Sequence, residues 1–259
     1  MRKNSFRFVI LIILFLFGAF FILKGYKTFQ NKLITPTPTP TIETQVKVTL
    51  LEGWRVEEMA AKLNKDLGIK NEDFLKIAKE GYMFPDTYFF DKEASASAVA
   101  KKLRTTFDLK YDDVLQAKIK KLGLTPTEGV ILASIVEREA RSNEARRMVA
   151  SILLRRFKID MGLNVDAGIQ YALEYQATEK SWWKRHLTKT DLKINSLYNT
   201  YIHVGLPPTP ICNPSLSSLE AVASADPKTP YLYYYHDLEG VPHYAKTLEE
   251  HNQNIANYL

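Results

Sequence analysis

The chain has 259 residues, 46% of them hydrophobic, and a net charge of +6, which is enough apolar content for one large or two smaller globular domains. The charge excess is confined to residues 1–41, where Arg2, Lys3, Arg7, Lys24, Lys27 and Lys32 meet no Asp or Glu, so residues 42–259 are neutral. A basic patch of the kind that binds nucleic acid has no support, and a lone cysteine, Cys212, excludes an internal disulfide and a cysteine metal cluster while leaving the redox compartment open.

Phe8 to Leu23 is an uncharged run of sixteen residues bounded by Arg7 and Lys24. As a helix it reaches about 24 Å, slightly short of a ~30 Å hydrocarbon core, a mismatch that snorkelling Lys and Arg absorb cheaply. A cleaved signal peptide should end in small residues, but Phe20-Phe21-Ile22-Leu23 stands there instead. Residues 1–24 are therefore expected to be an uncleaved single-pass anchor. Three basic residues flank each side, so charge does not set the orientation. The short N-terminal tail favours an inside N-terminus, with the bulk of the chain on the outer face of the membrane. Residues 25–45 come next as a linker whose Thr35-Pro-Thr-Pro-Thr-Pro-Thr41 stretch favours extended polyproline II.

Val46 to Leu50 alternates like a strand, and Trp54, Val56, Met59, Ala60 and Leu63 fall on one helical stripe. Asn71 is placed to cap a second helix carrying Phe74, Leu75 and Ile77, ending near Gly81. Residues 46–82 read either as a small module or as the first layer of a single domain. The aromatic run Tyr82 to Phe90 turns at Pro85-Asp86. Two amphipathic helices are expected between residues 91 and 124, with Val99, Leu103 and Phe107 inside the first and Val114, Leu115, Ile119 and Leu122 inside the second.

The next helix is the most informative. Thr125-Pro126-Thr127-Glu128 is a capping box with proline at the first helical position, and the helix is then apolar nearly all round until Glu137 and Glu139. A buried carboxylic acid holds its proton to higher pH, which is what a general acid requires. At 100° per residue the two acids point about 160° apart, so they cannot face one cleft as a pair. One is a candidate acid, and the other needs a structural partner such as Arg138, Arg141, Arg146 or Arg147.

Downstream, Asp166 stands where it can cap a helix. Tyr198-Asn-Thr-Tyr201 precedes the proline-stiffened loop Gly205 to Pro214, and Thr229 to Tyr235 with Val241 to Tyr244 read as a hairpin around Asp237 to Gly240. A closing helix carries His251-Asn252.

Six ordered motifs, Gly81-Tyr-Met-Phe-Pro-Asp-Thr-Tyr88, Ala133-Ser-Ile-Val-Glu-Arg-Glu139, Tyr198-Asn-Thr-Tyr201, Gly205-Leu-Pro-Pro208, Pro230-Tyr-Leu-Tyr233 and His251-Asn252, closely resemble the endolytic murein transglycosylase (YceG-like) family over residues 46–259. The resemblance implies an α+β architecture. It consists of one N-terminal transmembrane helix, a small LysM-like peptidoglycan-binding module over residues 46–82, and a mainly helical lysozyme-like, YceG-like catalytic domain over residues 83–259 with a C-terminal β-hairpin. It implies a lytic transglycosylase that cuts the MurNAc-GlcNAc bond within glycan strands, leaves a 1,6-anhydro end, ends nascent strand elongation and needs no cofactor or metal. Its partners would be peptidoglycan strands, the bacterial inner membrane and the wall-synthesis machinery.

By the same resemblance Glu139 matches the catalytic glutamate, with Glu137 as the alternative, and Tyr198, Asn199, Tyr201, Asn164 and Asp166 are candidate substrate-binding residues. Tyr198, Asn199 and Tyr201 serve equally well as caps of the next turn. The family segment resembling Met-Arg-Leu-Gln-Thr-Asp-Pro stands here as Met161-Gly-Leu-Asn-Val-Asp-Ala167, so its substrate contacts are open. Trp182 and Trp183 either stack on glycan or pack over a core edge. Two other functions stay open: a muramidase-type hydrolase using Asp166 or Glu137 as second carboxylate, and a non-catalytic, membrane-tethered wall-binding protein.

Overall fold

The computed structural model describes residues 45–258. The expected anchor and all but the last residue of the linker lie outside them. Among the described residues no helix is long and apolar enough to cross a membrane.

The chain is a mixed helix-and-sheet structure. Strand β1 (Gln45–Thr49) leads into helices α1 (Val56–Leu67) and α2 (Asn71–Leu75), and strand β2 (Thr87–Asp91) returns antiparallel to β1 with Val46 opposite Phe90 and Val48 opposite Tyr88. Period-two alternation buries Val48, Tyr88 and Phe90 against Met59, Ala60 and Leu63 of α1. The strand that completes this layer thus lies beyond residue 82. Its core is continuous with that of the helices that come after it, and residues from Gln45 onward form one compact unit. Helix α2 begins after Lys70 with no side-chain cap and stops at Leu75, so Asn71 lies inside it rather than capping it.

Helices α3 (Ala96–Lys110) and α4 (Asp113–Lys121) are each capped by a side chain, Ser95 accepting from the Ala98 N–H and Asp112 from that of Leu115. Leu115 and Ile119 turn inward, whereas Val114, expected on the same face, is exposed. Helix α5 (Pro126–Glu139) starts at the Thr125–Glu128 capping box and buries every residue from Gly129 to Val136. It packs on α6 (Asn143–Lys158) and α8 (Leu216–Ala223), with α7 (Asp166–Ala172) across its end. Strands β3 (Tyr233–His236) and β4 (Pro242–Ala245) form the C-terminal hairpin, against which α9 (Leu248–Tyr258) closes the chain.

A buried asparagine joins the first layer to the rest. Asn213 is fully enclosed. Its Oδ1 accepts from the Met83 N–H at 2.9 Å, and its Nδ2 donates to the Trp54 carbonyl at 3.0 Å and to Glu80 at 2.8 Å. Its own backbone exchanges bonds with Gly53 and Trp54. Beside it Gly81 sits at φ +85°, where an added Cβ would come within 2.4 Å of the Pro210 ring. Gly81→Ala combines left-handed strain with a clash, so it should lower stability by about 2 kcal/mol or more, read as a drop in the urea midpoint at unchanged slope.

Candidate active site

The last turn of α5 sends its two acids to opposite sides. Glu137 faces α6 and α8. Its Oε2 accepts from the Ser215 N–H and hydroxyl and from the Ser218 hydroxyl, while Arg146 Nη2 donates to Oε1 at 3.0 Å and Nη1 to Ser217. The Glu137 side chain is only 5% exposed, so each donor offsets desolvation of a buried charge. The sequence expectation of an Arg146 partner corresponds to this ion pair.

Glu139 opens instead onto a cleft of about 430 Å³ walled by Asn164, Asp166, Tyr201, Tyr233, Tyr235 and His251, among others. It also lines a second cavity, of about 640 Å³, bordered by the hairpin tip Asp237 to Gly240; Glu137 borders this cavity too, so the expectation that the two acids share no open space holds for the first cleft and not for the second. Glu139 and His236 border both spaces, so the acid sits where they meet. The Tyr234 hydroxyl donates to Glu139 Oε2 at 3.0 Å. Burial pushes the Glu139 carboxyl up to about 7; the Tyr234 hydrogen bond opposes that shift and the nearby Asp166 charge adds to it. Such a carboxyl keeps a proton near neutrality, and can give it to, and recover it from, an oxygen lodged in the cleft.

The other expected residues divide. Tyr201 and Asp166 meet in the cleft, the tyrosine hydroxyl donating to Asp166 Oδ1 at 2.8 Å. Asn164 lines the same wall at φ +52°, and Gly162 makes room for its side chain, since an added Cβ there would come within 2.8 Å of Asn164 Oδ1. Asp166 is the first residue of α7 and makes no cap, since Val165 precedes the helix without a side-chain bond. Tyr198 stays outside the cleft, its ring on Tyr171 and its hydroxyl on Thr209. Asn199 is wholly buried, with its amide donating to the Leu192 and Ile194 carbonyls and its oxygen accepting from the Tyr201 N–H. These two hold the loop that presents Tyr201, which is the turn-forming role the sequence also allowed.

Trp183 is buried under the Arg138 guanidinium, 3.8 Å from its ring centre, and donates to Glu58 at 3.1 Å. Trp182 lies under Arg55. Both pack over the edge of the core.

Tyr234 and Arg156 were not singled out from sequence. Arg156 sits beneath Tyr233 and donates to the Leu232 carbonyl at 2.6 Å and the Leu163 carbonyl at 2.8 Å, fixing the hairpin to the Asn164 loop. Its place in α6 gave no cue, because Arg155 and Arg156 are adjacent and only the fold tells them apart. Tyr234 is the middle one of three consecutive tyrosines that all border the cleft, so strand alternation alone does not single it out.

Fold and site together define a mixed helix-and-sheet protein in which Glu139, at the end of a buried helix, opens into a cleft that also holds Asp166. A crystal structure of a yceG-like protein from Listeria monocytogenes has a similar fold, with a TM-score of 0.71 at 29% identity, covering 80% of this chain and 75% of that one. The chain belongs to the YceG-like family, whose model matches residues 23–257. It is 34% identical over 195 residues to a protein named endolytic murein transglycosylase in Bacillus subtilis, covering 74% of this chain and 52% of the relative. It is 32% identical over 181 residues to one of the same name in Streptococcus pneumoniae, covering 70% of this chain and 32% of the relative. The chain thus spans about half the length of the first relative and about a third of the second.

The two acids should affect stability in opposite ways. Folded Glu139 keeps its proton to about pH 7, against a reference value of 4.5. The unfolded chain therefore ionises first as pH rises, and the stability contributed below 4.5 is lost on passing 7. Glu139→Gln should be more stable than the parent at pH 8, by up to about 3 kcal/mol, and equal to it at pH 4. Glu137→Gln should be less stable at both, by about 3 kcal/mol at pH 8. Calorimetric melts at the two pH values distinguish the pair, and a common sense of change at pH 8 would contradict the assignment.

Proposed function

We propose that the protein is an endolytic peptidoglycan lytic transglycosylase, a lyase cutting the MurNAc-GlcNAc bond inside glycan strands and leaving a 1,6-anhydro-MurNAc end. The observation that carries this reading is one carboxyl, protonated up to about pH 7, set where two open cavities meet. Cavities on both sides of the acid suit a strand that continues past the cleaved bond in each direction. The family membership and the names of the relatives point the same way.

In this reading Glu139 is the catalytic residue. It protonates the bridging oxygen as the C1–O bond breaks. The resulting carboxylate then takes the proton of the same muramic acid's 6-hydroxyl while that oxygen bonds to C1. The acid is regenerated, no water is consumed, and attack within one ring gains from proximity. Tyr201, Asn164 and Asp166 serve on the substrate side. Glu137 braces the helix from behind. The β-α-α-β order of residues 45–91 supports a LysM-like glycan-binding layer. We further read residues 1–24 as an inner-membrane anchor holding the catalytic part on the outer face, where it would act on strands leaving the wall-synthesis machinery.

A second reading, a muramidase-type hydrolase, is favoured by one observation: Asp166 shares the Glu139 cleft and could act as second carboxylate.

Full-length protein incubated with uncrosslinked glycan strands should release fragments lighter by one water, carrying anhydro-muramyl ends, in mass spectra. Glu139→Gln should slow this roughly a thousandfold. Reducing ends in place of anhydro ends would select the hydrolase, and glycan binding with no cleavage would leave only a wall-binding protein. Cell fractionation should find the full chain with membranes and chains lacking residues 1–24 in the soluble fraction.

A further inference from the structure

A lytic transglycosylase needs no nucleophilic side chain, yet the cleft holds a second carboxylate. Asp166 lies exposed on the cleft wall, one side-chain oxygen fixed by the Tyr201 hydroxyl at 2.8 Å. Among the described residues it enters no ion pair. The arginine that lines the cleft, Arg156, donates to the carbonyls of Leu232 and Leu163. The geometry therefore leaves a fixed anion facing the place where a sugar must lie to reach Glu139.

We infer that Asp166, braced by Tyr201, is the electrostatic partner of Glu139: it stabilises the positive charge that develops on the cut sugar. This rests on the transglycosylase reading. As the C1–O bond breaks, its electron pair leaves with the oxygen that Glu139 protonates, and positive charge spreads over C1 and the ring oxygen. An anion already oriented on the cleft wall stabilises that charge without reorganising, and a ring filling the cleft excludes water and strengthens the attraction. Asp166 forms no bond to carbon, because the 6-hydroxyl oxygen does. After ring closure the carboxylate is unchanged.

The same charge acts on Glu139. The groups facing the Glu139 carboxyl are Tyr234 from β3, Asp166 at the start of α7, Arg138 on its own helix, Arg156 from α6 and Tyr201 from the loop after α7. Of these, Asp166 favours the protonated form, whereas the Tyr234 hydrogen bond and Arg138 favour the carboxylate. Activity in the protonated form ends as pH rises through the Glu139 value, a limit that burial raises first and that Asp166 moves up while Tyr234 and Arg138 move it down.

The test is the pH profile of anhydro-product formation by the full-length protein on uncrosslinked glycan strands. Asp166→Asn should lower kcat roughly 100-fold with KM little changed, move the high-pH limb to lower pH and still yield only anhydro ends. Tyr234→Phe should move the same limb to higher pH. Tyr201→Phe keeps the charge but frees it; it should cost kcat less and leave the limb in place, which guards against Asp166→Asn failing to fold. Asp166→Asn within threefold of the parent with an unmoved limb overturns the inference, as does Tyr201→Phe indistinguishable from the parent. Reducing ends from the parent protein would instead overturn the transglycosylase reading itself.

Discussion

The structure turns on the donors that meet Glu137. A carboxylate nearly closed to water must be satisfied from several directions or not be ionised at all, and here the donors come from α6 and from the first turn of α8. These bonds fix the roll of α5 about its own axis as well as its position. Because residues two apart on a helix point about 160° apart, anchoring Glu137 on the core side leaves Glu139 one direction, outward into the cleft. The serines at the start of α8 and the arginine of α6 are therefore as much a part of the site's geometry as the residues that line it.

Around this anchor the neighbouring loop is stitched to the same helix. Ser134 accepts from the Ile211 N–H, and Cys212 donates to the Ser134 carbonyl. Asn213 comes directly after and ties in the first layer. The lone cysteine, silent in sequence as to redox or metal chemistry, is a small buried packing group, its thiol pushed well up by burial. Three consecutive residues, Ile211 to Asn213, thus connect α5 to the segment that starts at Gly53.

Much of this was legible before the fold was known. The capping box at Thr125 placed the start of α5, helical periodicity separated Glu137 from Glu139, and the tyrosine-rich hairpin around Asp237 to Gly240 formed where its turn residues put it. What the sequence hid depends on contacts between distant segments. Strand β2 is a strand because β1 lies beside it, a pairing across some forty residues that local pattern does not report. Asn199 and Tyr201 are two residues apart in one motif, yet one folds inward to hold carbonyls and the other outward to Asp166. Polar residue type alone cannot separate those roles, since both satisfy hydrogen bonds. Arg156 was unreadable for the same reason: its partners are main-chain carbonyls, which every residue possesses.

The continuous core from β1 to the helices behind Glu139 has one more consequence. A layer on a flexible tether would sample many offsets from Glu139, but a layer that shares its core with the helix carrying Glu139 keeps a single offset. Under the proposed function such a body would work like a calliper: the place where a strand was gripped and the place where it met Glu139 would differ by a whole number of repeats, and the length measured would be set by the covalent period of the polymer and the rigidity of the protein between the jaws.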